Sequence, residues 1–475
     1  MTAYEPVIGL EVHAQLATET KMFCGCRARF GAEPNTQVCP VCLGLPGALP
    51  VVNARAIEFA VRMGLATHCT IASESIFARK NYFYPDCPKD YQISQFDTPL
   101  CRDGYLLVDG GRARVGITRI HLEEDAGKLI HPGGAVSYVD MNRSGVPLIE
   151  IVSEPDIRRA CDAADYLRRL RSIVRYLGIC DGNMEEGSLR CDVNVSVRPA
   201  GSEEFGIKTE IKNLNSFRQV EEAAEFEFER QSVLLEKGKR VAQDTLLWNA
   251  PAGRAEVMRS KEQAQDYRYF PEPDLRVLRV SEATLESVRA ALPELPDARA
   301  ARFVSQYGLP EYDAGVLTAA HELADYYETV ASGTDPKAAS NWVMGEVLRE
   351  LGSRHIDIGS FEISAAMLVD LIEAQRAGTV NSSAAKKVFA AMIESGRGAA
   401  EVIADLGLEQ ISDSGQIEAE AQKILQDNPD EVAKYLGGKE NLLQFFVGQL
   451  MRATRGKANP ATAREMLVRL LDARR

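Results

Sequence analysis

The sequence predicts an α+β fold in three parts: a large mixed-sheet N-terminal domain, an all-α domain and a small α-helical tail. Three observations carry this. The chain of 475 residues is long enough for two to four domains of ordinary size. Short alternating runs punctuated by Gly, Pro, Asn and Asp fill roughly the first 290 residues, as strands and turns do. Beyond "ALPELPDARAARF", where Pro293 and Pro296 interrupt the chain, most segments have helical periodicity, and all ten cysteines lie at or before Cys191. The expected boundaries are 1–294, 295–406 and 407–475.

The first strand is "IGLEVHAQL". Ile8, Leu10, Val12, Ala14 and Leu16 are apolar, whereas Gly9, Glu11, His13 and Gln15 are small or polar. Alternation with a period of two sends successive side chains to opposite faces, so one face builds a core and the other carries Glu11 beside His13. "SLRCDVNVSVR" repeats the pattern, with Asp192 and Asn194 opposite Cys191, Val193 and Val195. So does "GIKTEIK", with Lys208, Glu210 and Lys212 opposite Ile207, Thr209 and Ile211. Between these runs, Ala164, Leu167, Leu170, Val174 and Leu177 have the spacing of an amphipathic helix that Gly178 ends. "QVEEAAEFEFERQSVLLEKG" is a second helix. At the C-terminal end, "GKANP" is a loop in which Asn459 is placed to cap a helix starting at Pro460, and Met466, Leu467, Leu470 and Leu471 form its apolar stripe.

Composition excludes several classes. No run of apolar residues is long enough for a transmembrane helix, and "MTAYEPVIG" has neither the basic nor the apolar region of a secretory signal, so a cytoplasmic protein without membrane partners is expected. The net charge of -13 opposes general nucleic-acid binding, but Arg452, Arg455, Lys457, Arg464, Arg469, Arg474 and Arg475 face only Glu465 and Asp472 in the last stretch. That end reads either as a docking patch or as a solvated helix face. There is no G-x-x-x-x-G-K-[ST] loop, no G-x-S-x-G elbow and no other apparatus for amide hydrolysis.

Two constellations carry chemistry. Cys24, Cys26, Cys39 and Cys42 form C-x-C-x12-C-x2-C, a spacing suited to a closed tetrathiolate site for structural Zn²⁺; the plain alternative is a small cysteine core. The acidic strand faces at Glu11, at "HLEED" with Glu123 and Glu124, at Asp192 and at Glu210 are costly as neighbours unless a cation neutralises them. Oxygen donors with one imidazole suit Mg²⁺ or Mn²⁺, and Mg²⁺ usually arrives with phosphates that lysines can meet. The alternative is a solvated polar face. "RKNYFYPDCPKDYQISQF" mixes Lys80, Lys89, Tyr82 and Tyr91, which suits either phosphate and base contacts or a buried aromatic cluster.

Taken together, "VIGLEVHAQL", "FARKNYFYPDCPKDYQISQFDTPL", "RIHLEEDAGK", "NRSGVPLIEIVSEPDI", "MEEGSLRCDVNVSVRP", "EIKNLNSF" and "RSKEQAQDYRYFPEPDL" resemble the B subunits of the aspartyl/glutamyl-tRNA amidotransferases. "SNWVMGE", "QISD" and "VGQLMRATRGKANP" extend the likeness over essentially the whole chain. The resemblance implies a ligase subunit with a cradle-shaped first domain. It would use ATP to phosphorylate the side-chain carboxylate of glutamate on Glu-tRNA(Gln), or of aspartate on Asp-tRNA(Asn). Ammonia from a partner amidase, the A subunit, would then displace phosphate, and the small C subunit would hold the pair. It further implies that Glu11, His13, Glu124, Asp192 and Glu210 hold Mg²⁺ and ATP, with Glu123, Glu185, Lys80 and Tyr82 nearby. The tail, with Arg452, Arg455, Lys457 and Arg464, would meet the tRNA. Family members differ in whether they keep the four cysteines; this chain keeps them all. The competing readings are a tRNA-binding scaffold and a free-standing Mg²⁺-dependent phosphate-ester hydrolase.

Overall fold

The computed structural model describes residues 4–133, 136–260, 266–408, 414–454, 458 and 460–474. The chain divides into two compact units, Met1–Pro296 and Asp297–Arg475.

The first unit is built on strands β1 (Tyr4–Gln15), β2 (Thr70–Ile71), β3 (Glu74–Ser75), β4 (Ala78–Asn81), β5 (Tyr91–Ser94), β6 (Cys101–Val108), β7 (Ala113–Glu124), β8 (Lys128–Ile130), β9 (Tyr138–Asp140), β10 (Pro147–Ser153), β11 (Leu189–Pro199), β12 (Thr209–Leu214), β13 (Asp244–Asn249), β14 (Arg254–Ser260), β15 (Phe270–Pro271) and β16 (Leu278–Arg279). Nine of them form one sheet in the order β14-β13-β12-β11-β1-β10-β7-β6-β2. Neighbours run antiparallel except β12 and β13, which are parallel, so the sheet is mixed as expected.

β1 lies at the centre, flanked by β10 and β11. Its alternation has the predicted consequence: Ile8, Leu10, Val12 and Ala14 are buried, while Glu11, His13 and Gln15 stay partly open. Helices α1 (Ala54–Ala66), α2 (Ala160–Tyr176) and α3 (Phe217–Glu236) pack on the sheet; α2 lies against β1 and β6, α3 against β11 and α1 against β6 and β7. The α2 stripe is the predicted one, with Ala164, Leu167, Leu170 and Val174 fully buried and Gly178 in the left-handed region at φ +63°. α1 starts at Asn53, whose side chain accepts from the amides of Arg55 and Ala56, satisfying two donors that a helix start leaves free. Because one sheet face is covered by helices, the polar side chains of the central strands collect on the other.

One strand is shorter than predicted. β12 begins at Thr209, whose partner Val195 is the first rung of its ladder with β11, so Lys208 precedes the strand and does not share the register of Glu210 and Lys212.

α4 (Glu282–Ala290) also belongs to the first unit. The second unit is helical: α5 (Pro296–Tyr307), α6 (Glu311–Leu317), α7 (His321–Gly333), α8 (Pro336–Trp342), α9 (Leu348–Arg354), α10 (Ala365–Arg376), α11 (Ser382–Ser395), α12 (Ala399–Leu406), α13 (Ser414–Asp427), α14 (Pro429–Leu436), α15 (Leu442–Ala453) and α16 (Pro460–Asp472). It contains two separate apolar clusters. One runs from Phe303 to Ile403; the other, from Ile417 to Leu471, is centred on Phe446, Leu450 and Leu467. Among the described residues no helix is long and apolar enough to cross a membrane.

The separation of the two helical clusters makes a direct prediction. Phe446 is completely buried, and Phe446→Ala should remove about 3–5 kcal/mol from the small cluster alone. Hydrogen exchange should accelerate in α13 to α16 while the amides of β1 and α10 keep their protection. Equal acceleration throughout would show that the clusters unfold as one.

Candidate functional site

The open face of the sheet is organised by register. His121 pairs with Glu150, Glu150 with His13 and His13 with Arg190, so these four residues form one row across β7, β10, β1 and β11. Two residues along β1 and β11, Glu11 pairs with Asp192, and on the next strand Glu210 stands opposite Asn194. Directly opposed side chains lie within interaction distance, so the ladder itself imposes proximity on these groups.

Two carboxylate clusters result. Glu11, Asp192 and Glu210 each present an oxygen within 4.8 Å of the others. Asn194 Nδ2 donates to Glu11 Oε1 at 3.0 Å, Thr245 Oγ1 donates to Glu210 Oε2 at 3.0 Å, and Lys212 bridges Glu210 at 2.8 Å and Asp192. Burial, followed by the charges of Glu150 and Glu210, raises the Glu11 pKa. The second cluster joins His13, Glu123 and Glu150 within the same limit. His13 Nε2 and His121 Nε2 each lie 3.5 Å from Glu150 Oε2, and His121 Nε2 is 3.2 Å from Glu123 Oε1. Burial opposes ionisation of Glu123, but the charge of Lys80 and the bond from His121 prevail and hold its pKa down to about 2. Burial likewise opposes protonation of His13, yet the hydrogen bond and charge of Glu150 raise its pKa. For Lys80, burial opposes the charge; Glu123 outweighs it and keeps the ammonium protonated.

Both clusters contribute to the wall of one cavity of about 550 Å³, lined among others by His13, Lys80, Glu123, Asp192 and Lys212. Tyr82 and Tyr267 are on its wall, and Lys80 Nζ lies 5.1 Å from the centre of the Tyr267 ring. The residues named from the sequence therefore fall in several places. Glu11, Asp192 and Glu210 come together, and His13 stands with Glu123. Glu124 joins neither group: its carboxylate is held by Lys89 and by the Ile93 amide at 3.0 Å. Glu124, the last residue of β7, also lines the cavity, but its carboxylate is engaged by Lys89, whereas that of Glu123 is engaged by His121. Glu185 does not line the cavity; it is exposed on a turn where its amide donates to Asn183 Oδ1 at 3.0 Å.

Sequence reasoning does not single out Glu150. A signal is nonetheless present: in "PLIEIVS" it is the one charged residue of an otherwise apolar strand, and such a residue in a buried run needs a partner. His121 stands out in the sequence only as part of "HLEED", and its Nδ1 is buried without a partner.

The four cysteines converge in the loop after β1, their sulphurs within 4.8 Å of one another. The Cys39 amide donates to Cys42 Sγ at 3.2 Å, and the ammonium of the buried Lys21 lies 3.7 Å from the same sulphur. A bond from Cys24 pulls the Cys42 pKa down to about 4. This arrangement favours a thiolate beside a cation over an inert apolar core. In the tail, Arg452 is exposed at the end of α15 and Arg464 is exposed on α16. Arg455, Lys457 and the predicted cap Asn459 lie outside the described residues.

Comparison with known proteins agrees with this division. Residues 6–286 match a family described as the GatB/GatE catalytic domain, and residues 325–471 match the GatB domain. The chain is 54% identical over 471 residues to a Thermodesulfovibrio yellowstonii protein named as the B subunit of aspartyl/glutamyl-tRNA(Asn/Gln) amidotransferase, with 98% of this chain and 99% of that relative covered. Proteins of the same name from Geobacter sp. and Chlorobium luteolum are 54% and 55% identical, each alignment covering 99% of both chains. Every residue of the two carboxylate clusters lies inside the catalytic-domain match, and the likeness covers 98–99% of the chain: the chain belongs to the B subunits of the aspartyl/glutamyl-tRNA amidotransferases.

Proposed function

We propose that this chain amidates the side-chain carboxylate of glutamate on Glu-tRNA(Gln), of aspartate on Asp-tRNA(Asn), or of both, as a cytoplasmic ligase subunit. It would work with an amidase, the A subunit, that supplies ammonia, and with the small C subunit. The observation that carries the reading is the convergence of two carboxylate clusters and the cations Lys80 and Lys212 on one cavity.

A carboxylate is a poor acyl donor because its leaving group would be oxide. Phosphorylation by ATP forms a bond from a carboxylate oxygen to the γ-phosphorus and releases ADP. Ammonia then adds to the acyl carbon, the C–O bond to phosphate breaks, and the added nitrogen loses a proton to leave the amide. Lys80 and Lys212, which line the cavity, would offset charge on the transferring phosphoryl group, and positioning with electrostatic stabilisation does most of the work in such reactions.

The donor sets fit divalent ions. Glu11, Asp192 and Glu210 offer three hard oxygens, and His13, Glu123 and Glu150 offer two oxygens and an imidazole. Bound Mg²⁺ or Mn²⁺ would supply charge neutralisation for the nucleotide phosphates. The cysteine set fits Zn²⁺, and four thiolates leave no open position, so that ion would hold the loop and take no part in the reaction. We assign the first domain to the chemistry, with boundaries at 1–294, 295–406 and 407–475, and the basic tail to the tRNA body.

Three measurements test these assignments. With ATP and Glu-tRNA(Gln) but no glutamine or ammonia, the assembled complex should form ADP in a Glu-tRNA-dependent way. Glu11→Gln and Asp192→Asn should each lower that rate by about 100-fold or more, and wild-type rates in both would remove the site assignment. Metal analysis of the purified protein should find one zinc per chain that Cys39→Ser with Cys42→Ser abolishes; wild-type protein free of zinc would refute the site. Arg452→Glu with Arg464→Glu should weaken tRNA binding and flatten its dependence on salt, and an unchanged salt slope would place the tRNA elsewhere.

A further inference from the structure

The cations that line the cavity are not equivalent. Lys89 is paired with Glu124, Lys212 bridges Asp192 and Glu210, and Lys80 is a point charge beside Glu123 and over the Tyr267 ring. Among the described residues that line it, Arg190 is the one arginine. Its place is set by register: it stands directly opposite His13, and Asp192 is two residues further along the same face. After Asp125, its guanidinium feels the charges of Asp192 and Glu123, one from each carboxylate cluster.

Its orientation is set by Asp125. Arg190 Nη2 donates to Asp125 Oδ2 at 2.6 Å. That carboxylate is itself fixed by Gln15 Nε2 at 2.6 Å and by the Ala126 amide at 2.9 Å, with Arg143 Nε at 3.7 Å. Asp125 is buried, and although burial opposes its ionisation, the charges of Arg190 and Arg143 lower its pKa. Arg143 spends its Nε and Nη2 on the carbonyls of Ala126 and Gly127. Arg190 has no such use: a guanidinium carries five donors, the bond to Asp125 engages one of them, and Nε is buried without a partner. The side chain remains 37% exposed and lines the cavity.

We propose that Arg190 is a substrate-anchoring residue that receives the side-chain carboxylate of the aminoacyl group. This rests on the amidation reading above. The incoming group is a planar anion approaching a wall already rich in carboxylates, where it is repelled unless a cation meets it. A rigid planar fork recognises a carboxylate by paired hydrogen bonds, which an ammonium cannot reproduce. Held there, one carboxylate oxygen stays on Arg190 while the other attacks the γ-phosphorus and ADP departs. When ammonia adds to the acyl carbon, the oxygen on Arg190 gains negative charge. The same donors then stabilise it until the C–O bond to phosphate breaks. A single residue would thus serve both half-reactions.

The test uses the assembled complex with wild-type protein, R190K and R190Q. Two rates are followed: Glu-tRNA-dependent ADP release from ATP, and amide formation when ammonium chloride is added. Both variants should lose about 10- to 100-fold in kcat/KM for the mischarged tRNA, the range expected when a hydrogen bond to a charged group is removed. KM for ATP should stay within about twofold, and in a third variant, R190A, added guanidinium ion should restore part of the activity. R190K keeps the charge and most of the volume, so it carries the test if R190Q does not fold. Variants with wild-type melting temperature and wild-type kcat/KM would overturn the proposal. So would a loss expressed only in KM for ATP, which would assign Arg190 to the nucleotide. Wild-type complex that forms no ADP with Glu-tRNA would instead sink the amidation reading, so the two failures are separable.

Discussion

Everything at the site depends on the hydrogen-bond ladder that joins β1 to β10 on one side and to β11 on the other. Backbone pairing sets which residues oppose one another, and with a side-chain period of two a slip of one residue would move every acid into the helical layer and every aliphatic residue into the cavity. Burial of Ile8, Leu10, Val12 and Ala14 under the helices resists that slip. The apolar face thus holds the polar face in register. The row His121, Glu150, His13 and Arg190 is the product of three separate strand pairings, each anchored by its own buried residues.

Such a wall carries an electrostatic cost. Carboxylates gathered on one sheet face raise one another's pKa unless compensated, and the compensation is uneven. Glu123 and Glu150 are held ionised by Lys80, His121 and His13, despite deep burial. Glu11 remains the group whose pKa is pushed up. The cluster of Glu11, Asp192 and Glu210, with one lysine bridging two of its three acids, is where an added cation would gain most. That asymmetry follows from which strands supply lysines, and it gives the two clusters different electrostatic characters beside one cavity.

The cysteine loop is a second instance of buried charge answered by buried charge. Lys21 is nearly inaccessible, and burying an ammonium is unfavourable unless an anion stands beside it. Cys42 Sγ, whose pKa is pulled down, stands 3.7 Å from that nitrogen, and the Met141 carbonyl accepts from it at 3.3 Å. A smaller cavity of about 190 Å³ lined by Cys24, Cys42 and Lys21 shares Lys89, Tyr91 and Glu124 with the residues lining the larger one. Glu124, which the sequence alone could not separate from Glu123, therefore belongs to the boundary between the cysteine loop and the main cavity.

By itself the sequence determined the elements and their faces. Alternation in β1 and β11, the stripe of α2 and the cysteine spacing are local properties, and period two or 3.6 is imposed by backbone geometry wherever the strand or helix forms. The α+β character and the helical second half were legible for the same reason, as were Glu11, His13 and Asp192 as members of a polar face. What the tertiary structure decided is which faces meet. Register placed Glu150 and Arg190 beside His13, sent Glu124 to Lys89 and left Glu185 outside the cavity. Those outcomes depend on pairings between residues distant in the chain, and no local periodicity encodes the offset of one strand against another.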